Sequence, residues 1–238
     1  MDEQKASFPF NLIEGMMPRY PMIAVVGWMI VLLSFLIGAT ALSSAQTAFY
    51  ADAKAVREAA AAGSAFVRAN VAAHVLETWV PQFKFLGLGL GLMAITMALG
   101  SIAKALRRMG QLIVGLVPAD MRLAMPPVPR RVRVFQLSTL MGVMILLAAL
   151  VVGIVLATGA VPAYFNHSIA GELDPAQPGS TLLAQLAVVS SFADWLNPLR
   201  LVGMAFLFTG ITLALTVIIG TLHTQAAMLA RMRGGQGS

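Results

Sequence analysis

Cysteine is absent from the 238 residues. That excludes disulfides, cysteine-ligated metals and thiol nucleophiles together, and it leaves the redox compartment open. Charge is scarce as well. Only 11% of the residues are charged, where a soluble domain carries about 25%. Four apolar runs, 22–42, 85–103, 137–161 and 201–222, contain no charged side chain at all. Proton relays, ion-coupled transport and voltage sensing place ionisable groups inside a bilayer, where they are costly and therefore functional. These runs offer none.

Catalytic constellations are missing too. No His-x-x-His or His-x-x-x-His spacing occurs, and no Ser-His-Asp order or pocketed carboxylate pair can be assembled. Gly87, Gly89 and Gly91 open an apolar run with no preceding strand and no phosphate-binding lysine, so they do not form a nucleotide loop. No pair of histidines lies at a depth within the runs suited to haem. No catalytic residue and no cofactor are therefore expected.

What is present is an apolar chain, 58% hydrophobic, with runs of a length that crosses a bilayer. About 20 helical residues span a hydrocarbon core about 30 Å thick. Backbone groups in lipid must bond within their own segment, so the runs are helices. Nothing alternates in the manner of a membrane barrel strand. The fold class expected is an all-α integral membrane protein with four transmembrane helices.

The chain also repeats itself. Residues 79–106 align without a gap on 195–222, with eight of 28 positions identical. The identical pairs are Trp79/Trp195, Gly87/Gly203, Ile95/Ile211, Thr96/Thr212, Ala98/Ala214, Leu99/Leu215, Ile102/Ile218 and Leu106/Leu222. Lys84 falls opposite Arg200. The preceding runs match at an offset of 115, as in Gly27/Gly142, Met29/Met144 and Gly38/Gly153. Apolar identities arise cheaply, whereas the shared Trp, basic residue, Gly and Thr carry more weight. An internal repeat bears on architecture first. The expected organisation is an interfacial lead-in (1–21), a first two-helix repeat (22–116), a basic proline-containing loop (117–136), a second repeat (137–230) and a flexible tail (231–238). Helices outside the membrane are expected in the two long connections, interrupted near Gly63 in the first and capped by Ser180 in the second. Trp79-Val80-Pro81 should punctuate the first of these at the membrane surface. The first run, with Ser43-Ser44-Ala45 beyond it, is longer than a signal h-region and is read as a retained anchor.

Basic residues assign the sides. Lys5, Arg19, Lys104, Arg107, Arg108, Arg122, Arg130, Arg131, Arg133, Arg231 and Arg233 fall on one face, eleven against five on the other. The positive-inside rule makes the first face cytoplasmic, together with both termini, in a bacterial inner membrane. The net charge of +6 then reflects topology, and no nucleic-acid partner is implied. Arg107, Arg108, Arg130, Arg131 and Arg133 are candidates for anionic lipid head groups. Both halves begin and end on the same side, so the repeats are parallel, not inverted.

Small residues mark where helices approach, because lipid tails are as apolar as leucine and close packing drives association. The candidates are Gly87, Gly91 and Ala98 in the second run, Ala149, Gly153 and Ala157 in the third, and Gly203 and Gly210 in the fourth. Thr96 and Thr212, at matching mid-run positions, join them as packing or hydrogen-bonding groups. Trp79, Lys84, Trp195 and Arg200 are expected interfacial anchors, with Glu77–Lys84 and Asp194–Arg200 pairs tying each connection to its helix. His74 and His167 are the only metal-ligand candidates, and no metal is expected.

Three functional readings follow. The first is a non-catalytic membrane subunit, a scaffold or accessory component that packs against other integral membrane proteins or further copies of itself, with membrane lipids around it. The second is a passive small-solute channel, for which Thr96, Thr212 and Thr216 are the only polar candidates. The third is an outer-face metal- or quinone-associated subunit that uses His74 and His167.

Overall fold

The computed structural model describes residues 15–116, 130–173 and 181–235, which are almost wholly helical and contain no strand. The Phe8-Pro9-Phe10 segment, the run Met125 to Pro129, the Ser180 cap and residues 236–238 lie outside the described residues. A 3-10 turn, Met17–Arg19, leads into α1 (Tyr20–Ile37). A π-helical turn (Gly38–Leu42) and the short helices α2 (Ser43–Phe49) and α3 (Lys54–Glu58) follow, then the long helix α4 (Ala65–Leu116). The second half has α5 (Arg130–Val155), a π-helical turn (Leu156–Ala160), short α6 (Val161–Phe165) and α7 (Ile169–Leu173), and long α8 (Thr181–Gly235). Each half thus reads helix, π turn, two short helices, long helix. Four stretches are long and apolar enough to cross a membrane: Met17–Phe49, Ala65–Leu112, Arg130–Phe165 and Thr181–Arg231.

At 1.5 Å per residue, α4 is about 78 Å long and α8 about 82 Å. Each therefore extends well beyond one apolar core. The expected break at Trp79-Val80-Pro81 does not occur, since α4 runs through Pro81 as α8 runs through Pro198. A proline inside a helix removes one N–H, here the partner of the Glu77 or Asp194 carbonyl, and leaves the rest of the ladder intact. Burial of the neighbours Val80 and Gln82 holds α4 together across the gap. The interruption before α4 is where it was expected. Gly63 has φ +76°, a conformation that only glycine adopts cheaply. Ser64 then accepts from the Val67 N–H at 3.3 Å and caps the helix.

The chain divides into two compact units. One comprises Met1–Val25, Leu90–Val143 and Ala205–Ser238. In it Ser138 donates to the Phe206 carbonyl at 2.7 Å, and Gln225 Nε2 donates to the Leu106 carbonyl at 2.6 Å. A Cβ on Gly210 would meet Thr139 Oγ1 at 2.7 Å, so α5 and α8 lie almost backbone to backbone there. Met17 is buried, and its Cε lies 3.0 Å from where a Cβ on Gly100 would stand.

The other unit comprises Val26–Gly89 and Met144–Met204. A Cβ on Gly87 would stand 2.7 Å from both the Gly27 carbonyl and Val31 Cγ2. Gly38 lies against Val80. Gly27, Val31, Ser34 and Gly38, spaced four, three and four apart, form one helical stripe. Of α1, only Gly27 and Ser34 are buried. Ala149, Leu156 and Leu196 form the buried core of this unit, packed by Val152, Ala160, Phe192 and Leu199.

Candidate functional site

In the second unit the residues around the two in-helix prolines converge. The segments Trp79-Val80-Pro81-Gln82 and Trp195-Leu196-Asn197-Pro198 carry a proline and an amide in exchanged order. Both amides reach Arg200. Its Nε donates to Gln82 Oε1 at 3.2 Å, its Nη1 donates to Asn197 Oδ1, and its guanidinium lies over the Phe85 ring at 5.7 Å from the centroid. Arg200 is only 4% exposed and Gln82 only 3%. Gly153 makes room for this arrangement, because a Cβ there would overlap the Gln82 carboxamide. The amide nitrogen of Gln82 is buried without a hydrogen-bond partner, while its oxygen accepts from the cation.

A cleft of about 190 Å³ opens beside this cluster. Arg200 and Asn197 line one part, Glu77 and Thr78 another, and Leu156, Val161, Val189, Phe192 and Leu196 supply apolar walls. Glu77 has two polar partners of its own. Gln46 Nε2 donates to its Oε1 at 2.9 Å, and His74 Nδ1 lies 3.1 Å from its Oε2. The His74 ring stacks on Phe165 with centroids 3.7 Å apart.

The expected pairs Glu77–Lys84 and Asp194–Arg200 are replaced by these partners. On an unbroken helix, seven residues separate two groups by about 10 Å and six by about 9 Å. Only positions three or four apart meet, which is why Asn197 takes the place of Asp194. Lys84 is exposed where Arg200 is buried, although the two align. Trp79 stacks on Phe83 at 5.3 Å, and Trp195 is 40% exposed beside Phe192.

The packing candidates divide. Gly87, Gly153 and Gly210 are points of close approach, whereas a Cβ on Gly91 would meet nothing within 4 Å. Ala149, Ala157 and Gly203 are buried, and Ala98 is half-buried. Thr96 is buried and donates to Leu92 O at 2.9 Å; Thr212 is exposed and donates to Phe208 O at 3.0 Å. Both hydroxyls are thus satisfied by their own helix. His167 is exposed. His74 meets Phe165, two residues short of His167, and no group of three or more His, Asp or Glu suited to a metal occurs among the described residues.

In the first unit a second cleft, about 320 Å³, is lined by Lys104, Arg107, Arg108, Gln111 and Gln136 above Met17, Phe135 and Val217. Three cations line it. Arg130, Arg131 and Arg133 are exposed on the first turn of α5. Basic groups at a membrane surface each contribute about 1 kcal/mol toward anionic lipid. The double variant Lys104→Gln, Arg108→Gln is therefore expected to bind phosphatidylglycerol-rich nanodiscs about 30-fold more weakly than wild type. The effect should fade at 0.5 M salt, as measured by lipid competition.

Gln82, Asn197 and Gln46 were not singled out from the sequence. The exchanged Pro-amide order at aligned positions was the available signal, but two lone amides carry no motif. No family model matches this chain, and neither does any curated protein or solved structure.

Proposed function

We propose that the chain is a non-catalytic integral membrane subunit, an accessory or scaffold component that packs against other membrane proteins. Its four apolar helices cross a bacterial inner membrane as two parallel two-helix repeats, with both termini in the cytoplasm. The recurring order of helix, π turn, two short helices and long proline-containing helix supports the duplication, and the basic residues of the first unit support the orientation.

One observation carries the functional reading: polar side chains along the apolar helices are spent on holding helices. Ser34, Thr96, Ser101, Thr139, Thr158, Thr209, Thr212 and Thr221 donate to carbonyls four residues back. Ser138 and Gln225 bond across to a neighbouring helix. A hydroxyl bonded to its own helix presents little to a passing solute, which weighs against a channel lined by Thr96 and Thr212. Helix α1 presents the broadest uncovered apolar face, with Met22, Val25, Trp28, Met29 and Phe35 each more than 60% exposed. In a complex, that face meets other membrane proteins.

Purification from native membranes in mild detergent is expected to bring down companion membrane proteins in fixed ratio. Replacement of Trp28 and Phe35 by alanine should release them while leaving the protein folded. A monodisperse protein that never carries a companion would sink the proposal.

A further inference from the structure

The Arg200 cleft holds two charges of opposite sign that do not neutralise each other. Arg200 is nearly fully buried, and its two hydrogen bonds go to the neutral oxygens of Gln82 and Asn197. A guanidinium has five N–H groups, so donors remain beyond these two bonds on a residue that lines the cleft. A buried cation among neutral acceptors keeps a desolvation cost of several kcal/mol until an anion reaches it. Glu77 lines the same cleft but is turned to Gln46 and His74. A simple anion gains at Arg200 and loses at Glu77, whereas a zwitterion gains at both.

We infer that this cleft binds a phosphoethanolamine zwitterion, its phosphate on Arg200 and Asn197 and its ammonium against Glu77. Leu156 and Phe192 give an apolar wall to whatever the phosphate carries. The cleft volume of about 190 Å³ suits a head group, not a whole lipid. Arg200 stands immediately before the apolar run 201–222. That is head-group depth on the membrane reading above, on which a lipid source of the zwitterion rests.

The site has a built rigidity. Two amides from two helices orient the guanidinium, Phe85 covers it, and Gly153 backs Gln82. Leu156, the first residue of the π-helical turn Leu156–Ala160, lines the cleft. Turns of this type widen a helix locally and recur at functional sites.

Native mass spectrometry of the full chain in mild detergent tests this, in a Lys104→Gln, Arg108→Gln background that weakens the separate basic cleft, with phosphatidylethanolamine and phosphatidylglycerol of identical acyl chains offered in equal amounts. With the Arg200 cleft intact, that background is expected to retain phosphatidylethanolamine about tenfold over phosphatidylglycerol, the scale of one partly screened charge pair. Adding Glu77→Gln, at an exposed position, should erase or reverse that preference. Adding Arg200→Gln should lose both lipids. Measurable but equal retention in that background, or a ratio that Glu77→Gln leaves unchanged, overturns the inference. A parallel arm titrates lipid-depleted protein with soluble O-phosphoethanolamine and reads the thermal midpoint. A Glu77-dependent rise there, without lipid retention, supports the same zwitterion from a soluble source; no response in either arm refutes it. Carbonate extraction of the expressing membranes is scored separately, so that loss of the membrane reading is told apart from loss of the site.

Discussion

Gly87→Ala is expected to cost about 3 kcal/mol and Gly91→Ala to cost nothing. The two glycines belong to one small-xxx-small motif and look equivalent in the sequence. At Gly87 the new methyl would stand 2.7 Å from the Gly27 carbonyl and from Val31 Cγ2. Backbone cannot yield as a flexible side chain can, so α1 must move off α4. Little else in α1 is buried, only Gly27 and Ser34; its attachment therefore depends on this crossing. At Gly91 the methyl meets nothing within 4 Å, and the loss of glycine's backbone entropy favours the helix by about 0.5–1 kcal/mol. Unfolding in mixed detergent and SDS micelles measures both. Equal stability of the two variants would remove the close approach from the account of this fold.

Gln82→Leu should cost about 2–3 kcal/mol, because it strips a nearly buried guanidinium of one neutral acceptor. Leucine matches glutamine in bulk without replacing the oxygen that Arg200 Nε uses at 3.2 Å. Gly153→Ala is expected to act through the same bond, since its methyl would displace the Gln82 carboxamide. The two substitutions should therefore fall short of additivity by at least about 1 kcal/mol in a double-variant cycle. Strict additivity would mean that Gly153 and Gln82 act independently and that the arginine is held by other contacts. A thermal scan in detergent gives the three differences needed.

Several features are legible from residue order alone. The four apolar helices follow from run length and the absence of charge, since a peptide backbone in an apolar phase has few ways to satisfy itself. The break before α4 follows from Gly63. The basic cleft follows in part from Arg107 and Arg108 on the end of the second run. The separate partners of Glu77 and of Arg200 did not follow, because they hung on whether Pro81 and Pro198 end their helices. A break would have let chain ends fold back to reach Lys84 and Asp194. Continuity instead puts Lys84 about two turns from Glu77, and Asp194 nearly two turns from Arg200 on another face, too far to pair.

Residue order by itself determined what this protein must be made of: apolar helices without internal charge, marked at matching places by Trp, Gly and a basic residue. Those properties depend on local chemistry and need no knowledge of neighbours. Only the tertiary structure decided which of two aligned cations is buried, which glycine of a pair touches a backbone, and which amides hold Arg200. Each of those outcomes depends on the distance between segments far apart in the chain. Gln82 and Arg200 are 118 residues apart, and no local pattern encodes a contact of that span.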